Sequence, residues 1–410
     1  MFQSVGILVA LAAVFSLLNY RYMKWPSTIG LMFMALVSSI LIFVSKEFVP
    51  AVYIFFGQLI TNLDFENLLL NVLLSFLLFA GAMQVNLHEL ARERWSVLAL
   101  ATLGTTASTF FIGGSIFGIG ILLGLDFPFL HALLFGALIS PTDPIAVLAI
   151  LDKVGISKSL RLRIEGESLF NDGIGVVLFL TILSLIQIGG SLKVSEIGLD
   201  LLLEIGGGIG YGLLLAWIGD SIIRKNLDDP KVCLLSTLAI ATGGYSLAGV
   251  WHISGPLAMV VAGLGVGWQL AHVPKSSETF RTLKLFWGSL DNILNAMLFV
   301  LIGLLAHTLE FNRSNILLGL LAIPVVLVGR LFAVLLGYSL TSLQENHPAQ
   351  NIAILVWGGL RGGLAVALAL SINTLETSGI IIFTTYLVAV FSILVQGLTL
   401  RPLANLFKKQ

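Results

Sequence analysis

The sequence has little charge and almost no cysteine, and both shortages narrow the class of protein. Only 11% of its 410 residues are charged, whereas soluble domains average about 25%. The single cysteine, Cys233, excludes an internal disulfide framework. The formal net charge is zero, so nothing favours binding to nucleic acid. Neither a Gly-x-x-x-x-Gly-Lys-Ser/Thr phosphate loop nor a His-Glu-x-x-His zinc motif occurs, and no enzymatic activity is predicted.

Long apolar segments fill the sequence instead. The mean hydropathy is +1.00, and apolar runs of about 20 residues, the length that spans a bilayer, recur along the chain. This pattern predicts an all-α polytopic membrane protein with thirteen transmembrane spans, while the segment 51–63 is too short to cross and is predicted to lie at the interface. The spans are predicted at 3–20, 26–45, 67–86, 96–123, 128–151, 162–187, 198–223, 232–251, 255–271, 285–306, 314–340, 350–371 and 378–400.

The basic residues predict how these spans are oriented. Nearly all of the 22 Lys and Arg residues fall in loops on one side, whereas only Lys46, Lys193 and Arg313 fall on the other. Cytoplasmic loops carry the excess of positive charge, so the N-terminus is predicted outside and the C-terminus in the cytoplasm. The two remaining basic residues, Arg330 and Arg361, lie in the middle of spans and are therefore candidate functional residues.

Two spans carry helix-breaking sequences at corresponding positions. Span 5 contains Ser-Pro-Thr-Asp-Pro at 140–144, and span 12 contains Gly-Gly-Leu-Arg-Gly-Gly at 358–363. Proline removes backbone donors and glycine weakens a helix, so both spans are predicted to unwind there. Their separation by seven spans predicts two inverted six-helix repeats, spans 1–6 and 8–13. Exposed backbone groups at membrane depth need protein or water partners, so the two breaks are predicted to meet.

Asp172 is the strongest candidate for a functional residue. It stands within a polar cluster, Glu-Ser-Leu-Phe-Asn-Asp-Gly at 167–173, and an ionisable group at membrane depth costs roughly 2.5 kcal/mol or more. Ser168 lies four residues earlier on the same helix face. Asp143 lies at a similar depth, each aspartate about 13 Å from the same inner loop. With the exposed carbonyl of Thr142, these residues form an all-oxygen set that suits an alkali cation.

A structural role is an alternative interpretation for the acidic residues. Asp143 and Asp172 are also able to cap broken helix ends or to pair with arginine. Asp291 and Glu204 are predicted near helix starts, where acidic side chains favour the helix dipole, and both are interpreted as structural.

Four motifs together resemble one transporter family. They are Pro-Thr-Asp-Pro in span 5, Glu-Ser-Leu-Phe-Asn-Asp-Gly in span 6, Leu-Asp-Asn-Ile-Leu-Asn at 290–295 in span 10, and Gly-Gly-Leu-Arg-Gly in span 12. In this order they resemble the monovalent cation/proton antiporter-1 family, specifically bacterial sodium/proton antiporters of the NhaP type. The resemblance implies a homodimer in the bacterial inner membrane, surrounded by lipid, that exchanges sodium or lithium for protons without a cofactor. It further implies a dimerisation domain, 1–95 and 198–306, and a core ion-translocation domain, 96–197 and 314–403.

The resemblance also implies roles for individual residues. Asp172 would be the carboxylate shared by cation and proton, with Asp143, Ser168 and the Thr142 backbone as further ligands. Asn171 would be the neutral partner that goes with electroneutral 1:1 exchange. A buried ion pair would join Glu167 to Arg330, and Arg361 would either balance the ends of the broken helices or act directly in the site. One departure stands out: many relatives carry a carboxylate where this chain has Phe79 or Ala80, so a water-mediated ligand is expected to be missing.

Three other functions are alternatives to sodium/proton exchange. Potassium/proton exchange would use the same residues, because spacing in the sequence does not fix the size of a cation site. A sodium-coupled symporter of organic solutes could share the crossed helices, but its sodium sites would lack a carboxylate that is protonated in each cycle. A channel or a membrane-bound sensor would not need an inverted repeat.

Overall fold

All regular secondary structure in the described part of the chain is helical. The structure is a computed structural model that describes residues 2–61, 72–188, 194–309, 311–341, 348–372 and 375–408, and no β-strand occurs within these residues. The predicted all-α fold is thereby confirmed. The first residues of predicted span 3, 67–71, and the basic residue Lys193 lie outside the described residues.

Nine helices in the described residues are long and apolar enough to cross a membrane. The other four predicted spans correspond to shorter or interrupted helices, and the count of thirteen stays a prediction. In chain order the helices are α1 Gln3–Met23, α2 Ser27–Phe48, α3 Pro50–Thr61, α4 Leu74–Gln84, α5 Arg94–Leu122, α6 Phe129–Ile139, α7 Ile145–Val154, α8 Lys158–Gln187, α9 Val194–Lys225, α10 Pro230–Val250, α11 Gly255–His272, α12 Glu278–Leu304, α13 Arg313–Leu340, α14 Pro348–Trp357, α15 Gly363–Leu370 and α16 Ser378–Leu406. Within the described residues, the nine long apolar helices are α1, α2, α5, α8, α9, α10, α12, α13 and α16.

Both predicted interruptions are present. Span 5 is divided into α6 and α7 by the non-helical residues 140–144, and span 12 is divided into α14 and α15 by residues 358–362. In the first break, Pro141 and Pro144 cannot donate backbone hydrogen bonds, which ends α6 and delays the start of α7. Glycine produces the second break, because it has the least tendency of any residue except proline to remain helical.

The two breaks meet, as predicted. The backbone N–H of Asp143 donates to the carbonyl of Leu360 across the crossing, at 2.7 Å. The Arg361 guanidinium donates to the carbonyls of Ser140 and Pro141, the latter at 3.1 Å. These bonds satisfy backbone groups that the broken helices expose, which is the condition for non-helical chain at membrane depth.

The helices pack mainly in two groups. In one group α12 packs on α2 and α4, and α11 packs on α4 and α9. In the other, α5 packs on α6 and α13, and α13 packs on α16. Helix α8 touches both groups, since it packs on α5 and α6 on one side and on α11 on the other. Side chains of α8 therefore lie at the boundary between the groups.

Candidate functional site

A cavity of about 230 Å³, the central cavity, lies at this boundary beside the first break. Its walls are α4, α8 and α12 together with residues of both breaks. Much of the wall is leucine, and carboxylates in such surroundings stay charged only if something compensates them. The polar residues that line it are Gln84, Thr142, Asp143, Glu165, Ser168, Asp172, Asp291 and Asn295.

One face of α8 supplies three of these polar residues. Glu165, Ser168 and Asp172 follow one another at intervals of three and four residues, which places them on the same side of a helix. All three line the central cavity. The Ser168 hydroxyl donates to the carbonyl of Thr142 at 2.5 Å. Helix α8 and the first break thus place a hydroxyl and a carbonyl oxygen side by side in the cavity wall.

Asp172 is half-buried in this wall and lacks a compensating partner. Within the described residues, its carboxylate makes neither an ion pair nor a hydrogen bond. The charged group that interacts electrostatically with Asp172 is the carboxylate of Asp143, which is also negative. An ionised carboxylate in such a site is stable only when a cation or a proton neutralises it.

Asp143 is anchored in the first break by its backbone and by one carboxylate oxygen. Its Oδ1 accepts a hydrogen bond from the N–H of Ile145 at 2.9 Å and so caps the first turn of α7. Its other oxygen, Oδ2, lies close to Gly362 of the second break. The helix-capping role considered from the sequence is therefore present, and one oxygen remains for a further ligand.

Asn171 lies beside the cavity and is completely buried. Its amide nitrogen donates to the Thr142 hydroxyl at 3.0 Å. Its Oδ1 has no hydrogen-bond partner among the described residues. Asn171 thus supports the first break without adding a charge.

Glu167 and Arg330 form a buried ion pair behind the cavity. Two guanidinium nitrogens of Arg330 meet the two carboxylate oxygens of Glu167, one of the two bonds being 2.9 Å long. The remaining Nε of Arg330 donates to the carbonyl of Leu355 in α14, at 3.1 Å. The bidentate pair is a strong, geometrically specific interaction, and neither residue lines the central cavity.

Arg361 is buried at the crossing and lies outside the lining of the central cavity. Its bonds to the carbonyls at the end of α6 place positive charge where a helix dipole is negative. Its backbone N–H donates to the Ser392 hydroxyl in α16 at 2.9 Å. This arrangement matches charge balancing at a helix end rather than direct contact with a ligand.

Helix α12 contributes polar residues to the cavity that were not predicted from the sequence. Asp291 and Asn295 line the cavity, whereas Asp291 was predicted near a helix start. That prediction is wrong, because α12 begins at Glu278 and Asp291 lies well inside it. Glu204 is misplaced in the same way, since its helix already begins at Val194. The spacing of Asp291 and Asn295 by four residues could have revealed that they share a helix face.

Neither Phe79 nor Ala80, the positions at which a ligand is expected to be missing, lines the central cavity. Both side chains are completely buried and lie outside the cavity wall. Phe79 packs on Trp287 with ring centroids 4.7 Å apart. The cavity face of α4 is formed instead by positions that include Leu77, Gly81 and Gln84.

The oxygen ligands of the central cavity suit an alkali cation rather than a transition metal. Among the described residues, no three His, Cys, Asp or Glu side chains are grouped closely enough to hold a metal ion. Carboxylate, hydroxyl and carbonyl oxygens of Asp172, Asp143, Ser168 and Thr142 are the ligands available.

Comparison with known sequences gives consistent matches over nearly the whole chain. Residues 7–406 match the profile of the family described as the transmembrane sodium/hydrogen exchanger. The Na(+)/H(+) antiporter NhaP of Pseudomonas aeruginosa is 41% identical over 410 residues, which cover 99% of this chain and 96% of the relative. The Na(+)/H(+) antiporter NhaH of Halobacillus dabanensis is 36% identical over 346 residues, 83% of each chain.

A solved structure shows the same fold. The sodium proton antiporter MjNhaP1 from Methanocaldococcus jannaschii, determined at pH 8, superposes with a TM-score of 0.73 over 98% of both chains. The sequence identity in this superposition is 20%.

Proposed function

Because the chain belongs to the sodium/hydrogen exchanger family, we propose that it exchanges sodium or lithium for protons across a membrane by alternating access. The observation that carries this proposal is the position of Asp172. Its carboxylate lines a cavity beside two crossed, broken helices, with no ion-pair partner in the described residues. A carboxylate placed in this way needs a small positive species to neutralise it.

Asp172 binds either the cation or the proton in this mechanism. Ser168, Asp143 and the Thr142 carbonyl complete the oxygen shell when the cation is bound. The hydrogen bond from Ser168 to Thr142 supports this assignment, because it holds two neutral oxygens together in the same wall. Asn171 holds the Thr142 hydroxyl and orients the break.

Competition for one carboxylate couples the two gradients. The charged, empty site is costly to move into a closed, low-dielectric position. The site therefore changes sides only when it carries a cation or a proton, and the inward transfer of one ion is matched by the outward transfer of the other. Glu167 is paired with Arg330 and Asn171 is neutral, which supports electroneutral 1:1 exchange. No nucleotide or other cofactor is needed for this cycle.

Two packed groups of helices support a division into a static and a moving part. The dimerisation domain would comprise 1–95 and 198–306, and the core ion-translocation domain 96–197 and 314–403. Helix α8 carries Asp172 along the boundary of these groups, where relative motion would expose the cavity first to one side and then to the other. We further propose a homodimer in the bacterial inner membrane, with the N-terminus outside, as the Lys and Arg distribution favours.

The test is proton efflux from acid-loaded proteoliposomes after addition of sodium, lithium or potassium. We expect sodium- or lithium-driven efflux that is the same with the membrane potential clamped or unclamped. In Asp172→Asn the efflux should fall to the level of empty vesicles, because an amide cannot exchange a proton for a cation. The control is Asp220→Asn, which removes a carboxylate that pairs with Arg224 on α9, away from the cavity.

Three outcomes would contradict parts of the proposal. Retained exchange in folded Asp172→Asn would remove Asp172 from the site. Efflux driven by potassium alone would keep the exchange mechanism and change the cation. No efflux with any of the three cations would overturn the proposed function and favour a solute symporter.

A further inference from the structure

A carboxylate outside the predicted site, Asp291, lines the central cavity from the opposite group of helices. It is carried by α12, which faces α8 across the cavity. The carboxylates of Asp291 and Asp143 interact electrostatically, so the two walls repel each other when both are ionised. A cation between them would relieve that repulsion.

Two neutral side chains hold the Asp291 carboxylate in place. Asn295 donates to Oδ1 at 2.9 Å, and Gln84 at the end of α4 donates to Oδ2 at 3.3 Å. The same amide groups also bond the backbone carbonyls of Asp291 and Ala80. Hydrogen bonds of this kind orient a carboxylate without cancelling its charge.

A second cavity meets the central cavity close to Asp291. This second cavity, the mouth cavity, opens on the side of the loop before α8, the side predicted to be cytoplasmic. Gln84 and Glu165 line both cavities. Since Asp291 accepts a hydrogen bond from Gln84, it lies next to the junction of the two cavities, on the side of the central one.

Three carboxylates in the mouth cavity share two basic residues. Glu89 pairs with Lys158 at 2.8 Å, and Asp152 pairs with Arg161 at 2.6 Å. Glu165 lies 4.0 Å from the same Arg161. Asp291 has no such partner among the described residues. Its charge at the central cavity is therefore not compensated by a basic residue within salt-bridge distance in that part of the chain.

We propose that Asp291 sets the apparent affinity for the entering cation, by attracting it to the junction and delivering it to Asp172. Asp291 is a positioning residue: it takes no part in the exchange of cation for proton. This inference rests on the proposed function. Asp172 determines both cation binding and turnover. Removal of Asp291 should instead weaken cation binding and leave the turnover of a filled site intact.

The test is the sodium concentration dependence of exchange in Asp291→Asn. Asparagine removes the charge and keeps the oxygen that accepts from Asn295, while an amide nitrogen replaces the oxygen that accepts from Gln84. Loss of one attractive charge beside the site is expected to weaken the affinity about tenfold, which corresponds to about 1.4 kcal/mol. We expect the apparent KM for sodium to rise about tenfold, while Vmax stays within about twofold. Asp291→Glu should recover most of the affinity.

The matched control is Glu278→Gln, which removes an exposed carboxylate from the first turn of the same helix, outside both cavities. It should leave KM unchanged. A fall in Vmax with unchanged KM in Asp291→Asn, or no change in either, would overturn the inference.

A binding measurement keeps this test separate from the proposed function. Sodium should raise the thermal unfolding temperature of the detergent-solubilised protein, and the sodium concentration at half-effect should increase about tenfold in Asp291→Asn. Failure of the wild type to exchange ions would overturn the proposed function, whatever this measurement shows. An unchanged half-effect concentration, or no stabilisation of the wild type by sodium, would overturn the role of Asp291.

Discussion

The two broken helices bring opposite charges to their crossing point. The first break, between α6 and α7, supplies Asp143 and the oxygens of Thr142 to the cavity wall. The second break, between α14 and α15, is surrounded by two arginines, since Arg361 belongs to it and Arg330 bonds the carbonyl of Leu355 just before it. Both arginines are buried outside the cavity lining.

This difference shows how a buried site keeps one carboxylate reactive. Arg330 is committed to Glu167, and Arg361 is committed to the carbonyls of the first break. The positive charge thus stabilises the framework, while Asp172 is left without a partner among the described residues. If an arginine reached Asp172, the carboxylate would stay ionised and could not alternate between proton and cation.

The largest effect in this comparison is expected from Arg330→Ala. The substitution strands the Glu167 carboxylate in a buried position and leaves the carbonyl of Leu355 without its donor. Breaking a buried ion pair by removing one partner costs about 3–5 kcal/mol. We expect a severe loss of monodisperse protein in detergent and a lower thermal unfolding temperature.

Two further variants separate charge burial from lost packing. Glu167→Gln in the Arg330→Ala background should recover part of the stability, since a neutral amide is cheaper to bury than a carboxylate. Arg224→Ala breaks an exposed pair with Asp220 on α9 and should cost at most about 1 kcal/mol. Normal yield and full exchange activity of Arg330→Ala would contradict the structural role assigned to the second break.

An intermediate effect is expected from Gly362→Ala, which tests the contact between the breaks. Gly362 has a φ of −101°, which any residue adopts, so its backbone conformation does not require glycine. A Cβ here would lie 2.5 Å from the Cβ and Oδ2 atoms of Asp143, which is too close. The displaced Asp143 should weaken sodium binding, and overpacking should cost about 1–3 kcal/mol.

Gly114→Ala is the control for this substitution, because a Cβ at Gly114 in α5 would have no heavy atom within 4 Å. It should leave both the exchange rate and the apparent KM for sodium unchanged. Wild-type sodium dependence in Gly362→Ala would show that the position of Asp143 does not matter for cation binding.

The broken helices could be predicted from sequence because their cause is local. Proline at 141 and 144, and glycine at 358, 359, 362 and 363, act on the backbone of their own segment. The spacing of residues also predicts which of them share a helix face, so Ser168 and Asp172 were correctly placed on one side of α8. Both inferences need only the covalent neighbourhood of each residue.

The far wall of the cavity could not be predicted in the same way. Which residues of α4 and α12 face α8 depends on how helices pack, and packing involves residues far apart in the sequence. Asp291 was misjudged because an apolar window places the start of the span at 285, whereas the amphipathic first turns of α12 extend the helix back to Glu278. The packing of Phe79 could not be predicted either, because its partner, Trp287, belongs to another helix.

The smallest effect is expected from Ser168→Ala, which removes one neutral oxygen from the first break. The hydroxyl now donates to the Thr142 carbonyl, and it is proposed to bind the cation. A neutral ligand contributes about 0.5–1 kcal/mol, so the apparent KM for sodium should rise about two- to fivefold with little change in Vmax.

Ser184→Ala is the matched control, because Ser184 lies on the same helix and its hydroxyl donates only to the carbonyl of Thr181, at 2.8 Å. An unchanged KM in Ser168→Ala would assign that hydroxyl to the framework rather than to the cation. A complete loss of exchange in folded Ser168→Ala would instead mean that the first break fixes the geometry of Asp172. In that case the oxygens of the first break would have a structural role, as the arginines of the second break do. Only Asp143 would then distinguish the first break from the second.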